Sequence, residues 1–300
     1  MWYSVMRQII SASRRTDIPA FYSEWFMNRI RTGYCTVANP FNANQRAHVS
    51  LKPQDVQVIV FWTRNPQPLI KHLPDLDQKG YRYYFQYTMI GYPESIDSKS
   101  PPIDAAIKTF QELSGLIGKD RVIWRYDPIL YSNETRPEWH IKRISYLIEK
   151  LKLYTKRLVI SLIDPYRKTK IRMDREIGIN FHLAPDAFEV SAYDQLIELI
   201  AKEAHSAGLE VQTCAEEADL ELLGIKKGKC IDDGLIRKIW GVDASKRKDP
   251  SQRRLCGCVV SKDIGVNNTC LSGCRYCYAT SGIKAAENNF KKHDPNAPSI

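Results

Sequence analysis

The sequence predicts an α/β fold, a parallel (β/α) barrel of the TIM type, closed or partial. Three observations carry this expectation. Short runs rich in Val, Ile, Tyr and Trp recur six times along the 300 residues. Most are apolar on both sides of their alternation, the pattern of a strand buried on both faces of a parallel sheet. Amphipathic helical runs lie between them, and strand–helix repetition builds a parallel sheet with helical cover. A doubly wound open sheet is the alternative, but no G-x-G-x-x-G follows the first strand, so a dinucleotide fold lacks its fingerprint.

The predicted strands are 8–12, 56–62, 81–88, 122–126, 158–163 and 209–213. The first predicted helix, 20–32, carries Phe21, Trp25, Phe26 and Ile30 at helical spacing. A helix over 103–117 starts after Pro101-Pro102 and stops at Gly118, matching the preference for proline at the start and glycine past the end. Helices over 137–151, 193–207 and 232–240 follow the same logic, with Gly208 as a stop. A run over 69–76 is weaker because Pro74 interrupts it. Residues 33–53 read as a hairpin or extended loop turning at Asn39-Pro-Phe-Asn42. Residues 164–191 form a long connection with Arg167, Lys168, Lys170, Arg172 and Arg175, either a binding loop or a solvated basic surface. Residues 1–244 make the barrel body. Residues 245–300 form a cysteine-bearing segment packed on its mouth, the whole being one domain.

Composition narrows the class. The hydrophobic fraction of 43% is enough for a sizeable core. No apolar run reaches the roughly 18 residues of a membrane span. The first ten residues lack a basic head followed by a long apolar region, so a cytoplasmic protein is expected. Eight cysteines in such a chain favour metal binding over a disulfide framework. The net charge of +10 permits nucleic acid as a partner without requiring it.

Parallel α/β folds collect their sites at the carboxyl ends of the strands. Here those ends are polar: Ser11 to Asp17, Trp62 to Pro66, Gln86 to Thr88, Trp124 to Pro128, Ser161 to Asp164 and Thr213 to Glu216. Arg14 and Arg125 can hold a carboxylate or phosphate at two points. Asp127 and Glu216 can hold an ammonium or ribose hydroxyls. The plainer possibility is ion pairs and caps, with Asp17 a candidate N-cap.

The densest chemistry is Cys270-Leu-Ser-Gly-Cys274-Arg-Tyr-Cys277, a C-x3-C-x2-C spacing. Three thiolates without a fourth at matching spacing suggest an iron–sulfur cluster with one open iron. Gly273 lets the loop turn tightly, and Tyr276 can shield a cluster or stack on an adenine. Zinc is the competitor, with Cys256 and Cys258 completing a set with Cys274 and Cys277, although Cys270 is then left over. That alternative describes a zinc-stabilised barrel binding nucleic acid through its basic loops. Cys214 reads as a buried strand cysteine or, with Cys256 and Cys258, as a ligand of an auxiliary cluster or a hydrogen-atom donor. Cys256 and Cys258 read as a turn or as ligands of an auxiliary cluster.

The stretch Asn268-Thr-Cys-Leu-Ser-Gly-Cys-Arg-Tyr-Cys-Tyr278 resembles the cluster loop of the radical S-adenosylmethionine superfamily. The resemblance implies a full or partial barrel, a 4Fe-4S cluster on Cys270, Cys274 and Cys277, and S-adenosylmethionine on the open iron. Its activity is reductive cleavage to a 5′-deoxyadenosyl radical, and its partner a reductant such as flavodoxin or ferredoxin. Two features depart from it. The loop follows all six strand–helix units instead of the first, which implies a circular permutation with 258–264 docking beside the first strand. The Gly-Gly-Glu that holds the methionine amine is missing. Candidate cofactor contacts are therefore Tyr276, with Arg125 or Arg14 for the carboxylate and Asp127 or Glu216 for the amine. The whole chain is similar to a bacterial and archaeal family with a late cysteine cluster, through Ser11 to Asp17, Phe61 to Pro66, Arg125 to Pro128 and the cluster itself. The resemblance names neither a catalytic residue nor a substrate.

Overall fold

The computed structural model describes the backbone of residues 7–39, 42–163, 169, 171–173 and 187–300. The expected strands form, with ends moved by a few residues: β1 Gln8–Ala12, then, after a hairpin of β2 Tyr34–Asn39 and β3 Asn42–Ser50, β4 Val56–Thr63, β5 Tyr83–Thr88, β6 Val122–Ile129, β7 Arg157–Leu162 and β8 Glu210–Thr213. Two short strands extend the sheet, β9 Lys226–Lys227 and β10 Lys262–Asp263. All neighbours are parallel, in the order β10-β1-β4-β5-β6-β7-β8-β9. The architecture is therefore an eight-stranded parallel α/β sheet with β10 and β9 at its edges. Among the described residues no ladder joins those edges, so the sheet is not closed.

The two-sided apolar strands are explained by two covers. Ile10, Phe61, Phe85, Trp124 and Ile160 face the main core, into which helices pack. Those helices are α1 Ile18–Phe21, α2 Ser23–Thr32, α3 Gln67–Ile70, α4 Leu73–Gln78, α5 Ile103–Ile117, α6 Pro137–Leu151 and α7 Ala187–Ser206. The alternate residues Ile9, Val58, Val60, Tyr84, Ile123 and Val159 face the other side. There they meet Cys230, Ile231, Cys256, Cys258 and Val259, with Leu235 and Ile236 of α8 Asp233–Trp240. Period-two alternation sends neighbours to opposite faces, and both faces are dry.

Several boundaries have local causes. Asp17 caps α1, its carboxylate accepting from the Ala20 N–H at 3.1 Å. Tyr22 (φ −132°) then separates α1 from α2, so the single helix expected over 20–32 is two. Helices α5 and α6 have the expected bounds. Helix α7 begins at Ala187, inside the connection expected over 164–191, and Arg167, Lys168, Lys170 and Arg175 lie outside the described residues. The hairpin is antiparallel as expected, although residues 40 and 41 of its turn lie outside the described residues. Strand β10 docks beside β1, pairing Ile10 with Lys262 and Ser11 with Asp263, which places the late segment where 258–264 was expected. A final helix, α9 Ile283–Phe290, follows. No helix among the described residues is long and apolar enough to cross a membrane.

Candidate functional site

From β10 the chain runs across the carboxyl ends of β1 and β4 and the loop after β5. Thr16 Oγ1 lies 2.7 Å from Thr269 Oγ1, and Tyr22 Oη donates to the Thr269 carbonyl at 2.8 Å. The Arg275 N–H donates to the Ile96 carbonyl at 2.9 Å, while Asp97 and Cys274 form an isolated antiparallel bridge. Gly273 sits at φ +71°, and a Cβ there would stand 2.4 Å from Ser98 Oγ. Only glycine meets both demands without strain. The resulting loop brings Cys270, Cys274 and Cys277 to one small, half-open cleft, shared with Arg172, Ser272 and Thr280.

Arg172 fastens this loop. Its Nη1 donates to the carbonyls of Arg275 and Cys277 at 2.9 and 3.1 Å, and its Nη2 to that of Thr280 at 2.6 Å. The sequence placed Arg172 either in a binding loop or on a solvated basic surface; here it is buried and spent on backbone carbonyls.

A second arginine sets the electrostatics. Arg64, just past β4, donates from Nη1 to Cys274 Sγ at 3.1 Å and to Tyr276 Oη at 2.6 Å. Its Nη2 pairs with buried Asp97 at 2.6 Å. Burial pushes the Cys274 thiol well up, with Arg64 opposing. Burial, then nearby Asp17, pushes Cys270 up to about 11. Asp17 is itself pushed up to about 6 by burial, against hydrogen bonds from the Arg64 and Ala20 N–H groups. Thiols so placed ionise when a metal supplies the compensating charge. Three sulfurs on one cleft, with a guanidinium donating to one of them, fit a thiolate-held cluster. Among the described residues no three Cys, His, Asp or Glu side chains close around a single ion.

The other predicted contacts divide between two places. Tyr276 stands in the loop, edge-on to Tyr92 with ring centroids 5.9 Å apart. Arg14 and Arg125 instead flank Trp62, their guanidinium carbons 5.1 and 5.0 Å from its ring. Arg125 also pairs with Asp127, whose other oxygen accepts from Ser161. Glu216 accepts from the Leu162 N–H at 3.0 Å. These groups share the carboxyl side of the sheet, but Arg125 and Asp127 are each other's partners, as the ion-pair alternative anticipated.

Sequence reading passed over three further residues. Arg64 lay within a noted polar strand end without a role. Asp97 had no local signal, because its partners are remote in sequence. Asp263 accepts from Ser11 Oγ and the Arg14 N–H at 2.9 Å, Ser13 Oγ at 2.7 Å and Arg15 Nε at 3.2 Å. Burial alone would raise its carboxyl, yet Arg15 with the Arg14 N–H and Ser13 holds it below the usual range. The serines and arginines of the first strand end thus latch β10 to β1.

Fold and site together define a parallel α/β protein with a three-cysteine loop at the carboxyl edge of its sheet. The model of a family described as a domain of unknown function, DUF1848, matches residues 9–279, and the chain belongs to that family. The match runs from β1 past the last cysteine. No curated protein and no solved structure matches the chain.

Proposed function

We propose that this protein is a radical S-adenosylmethionine enzyme on a partial, circularly permuted barrel. The observation that carries the reading is the shared cleft of Cys270, Cys274 and Cys277 at the carboxyl edge of a parallel sheet. A curl of the sheet is supported by the inner cluster, in which residues from β1, β4, β5, β6 and β7 meet the same two covering segments, around Cys230 and around Cys256 to Val259.

In this reading Cys270, Cys274 and Cys277 would hold a 4Fe-4S cluster, which would supply one-electron reducing chemistry to bound S-adenosylmethionine for radical hydrogen abstraction. The chain's own residues prepare the setting. Arg64 donates a hydrogen bond to Cys274 sulfur, which favours the more reduced, more negative state of anything bound there. Tyr92 and Tyr276 shield one side from water. Arg172 keeps the loop in register with the cleft. Asp127 and Glu216, already bonded to Arg125 and Ser161 and to the Leu162 N–H, would offer only their remaining lone pairs to the hydroxyls or amine of the cofactor or substrate, and Arg14 and Arg125 frame the same side. The electron donor is a small redox protein such as flavodoxin or ferredoxin.

Anaerobic reconstitution with iron and sulfide tests the reading. A brown protein with about four irons per chain is expected, with an electron paramagnetic resonance signal altered by S-adenosylmethionine and lost in Cys274→Ser. A protein that takes up no cluster on this loop, or a cluster indifferent to S-adenosylmethionine, overturns it.

A further inference from the structure

Cys35 and Cys230 were expected to be scattered, and Cys214, Cys256 and Cys258 to be structural or to ligate an auxiliary cluster, with Cys256 and Cys258 sharing a zinc with the loop as a further alternative. Four of them meet elsewhere, on the inner face of the sheet. Cys214 lies one residue past β8, and its Sγ is 3.4 Å from Cys230 Sγ. Cys230, Cys256 and Cys258 belong to one buried cluster, and Cys214 packs against it. All four are free thiols, and Cys230, Cys256 and Cys258 are buried.

The backbones carrying these sulfurs are built to approach closely. A Cβ on Gly228 would stand 2.5 Å from the Thr213 carbonyl oxygen, and one on Gly257 would stand 3.2 Å from the Gly228 carbonyl oxygen. Glycine at both positions lets the three cysteine-bearing stretches stack. Cys230 and Cys258 are also braced. Tyr84 Oη and Gln86 Nε2 both donate to the Cys230 carbonyl at 2.7 Å. The Ile231 N–H donates to Cys258 Sγ at 3.4 Å. Two cations face the group: Arg125 Nη1 donates to Cys230 Sγ at 2.8 Å, and the Arg14 guanidinium lies beside Cys258.

We propose that Cys214, Cys230, Cys256 and Cys258 form a second metal site, distinct from the C-x3-C-x2-C loop, that takes one tetrahedral, thiophilic divalent ion of the zinc class. The inference goes beyond the function proposed above and does not depend on it. The size follows from the sulfur spacing. Zinc–sulfur bonds of about 2.3 Å give a tetrahedral edge of roughly 3.8 Å, close to the 3.4 Å between Cys214 and Cys230. Thiolates on separate irons of a cubane are splayed beyond such contact. The charge is also suited. Four thiolates and a divalent ion carry a net charge of about −2, and Arg14 and Arg125 oppose it while also facing Asp263 and Asp127. Nitrogen donors to ligating sulfur are the usual outer support of such centres. As placed, no three of these sulfurs surround one point, so the site requires side-chain rotation on metal binding, for which Cys256 and Cys258, either side of Gly257, are the candidates.

The test uses the full chain, purified without iron or sulfide. About one zinc per chain is expected, falling to none in Cys230→Ser and Cys258→Ser and kept in Cys274→Ser. Cobalt(II) added to the reduced, metal-free protein should give the intense visible bands of a tetrahedral all-sulfur site. In the unsubstituted protein, iodoacetamide mapping should find these four thiols protected with metal and reactive after chelation. That readout stands even where a serine variant fails to fold. Zinc kept in Cys258→Ser, four reactive thiols with no metal, a Cys214–Cys230 disulfide, or an iron–sulfur cluster on these four residues would each overturn the assignment. Because Cys274→Ser removes only the loop's cluster, failure of the loop reading leaves the zinc result intact.

Discussion

Arg64 shows how one side chain joins remote parts of the chain. It bonds Cys274 and Tyr276 from the late loop and Asp97 from the connection after β5. Asp97 has a fully buried side chain, and Arg64 is 12% exposed. Removing one member of a buried pair strands the other charge. Arg64→Ala is therefore expected to cost roughly 3 kcal/mol in urea unfolding of the metal-free protein. Adding Asp97→Asn should recover part of that loss, and a double variant no more stable than the single one would refute the pairing. The cysteines and Gly273 were legible because their spacing is local. Asp97 was not, since an aspartate in a loop signals nothing until the fold brings Cys274 beside it.

At the scale of elements, periodicity served best where one face alone decides. Helices α5 and α6 have the expected bounds because an apolar stripe and a proline start agree. The long predicted helix 20–32 broke because the cap at Asp17 starts helical structure early and Tyr22 then leaves the helical region. The two-residue strands β9 and β10 are too short for any period to show. Helix α6 also carries a titrating group whose behaviour follows from its packing. His140 is fully buried, 2.8 Å from Tyr126 Oη through Nδ1 and 2.9 Å from the Leu130 carbonyl through Nε2. Burial lowers its pKa from 6.5 to about 4, against the Leu130 hydrogen bond. The folded protein thus keeps His140 neutral where the unfolded chain takes up a proton. Stability from this group is complete above pH 6.5 and is lost as the pH falls towards 4. The loss amounts to roughly 3 kcal/mol. Urea unfolding at pH 7 and pH 4.5 should show it, and His140→Gln should be weaker at pH 7 with a shallower acid slope. An unchanged slope would assign the acid sensitivity elsewhere.

For the whole molecule, the parallel sheet was legible from two-sided apolar strands, but what covers its second face was not. Segments around Cys230 and Cys256 to Val259 do so, and nothing in their local pattern marks them as core. The end of the chain was equally silent, yet it packs against the first helices. Trp25 Nε1 donates to the Ala297 carbonyl at 2.9 Å, Arg29 Nη2 to the Asn296 carbonyl at 2.8 Å, and the Thr36 N–H to the Pro298 carbonyl at 2.7 Å. Trp25 and Arg29 are buried with the tail in place, so cutting it strips these donors of their acceptors and of their cover together. Each lost hydrogen bond costs on the order of 1 kcal/mol, and more where the donor stays buried. Deleting residues 295–300 should therefore remove about 3 kcal/mol or more, read as an earlier urea midpoint with little change in slope. The tail follows the cysteine loop directly through α9, whose Phe290 meets Tyr22 with ring centroids 5.5 Å apart, and Tyr22 holds Thr269. The same deletion should thus also speed alkylation of Cys270 relative to Cys35, which lies buried in the hairpin. A ratio of the two rates unchanged by the deletion would mean that the tail stabilises the body without bracing the loop.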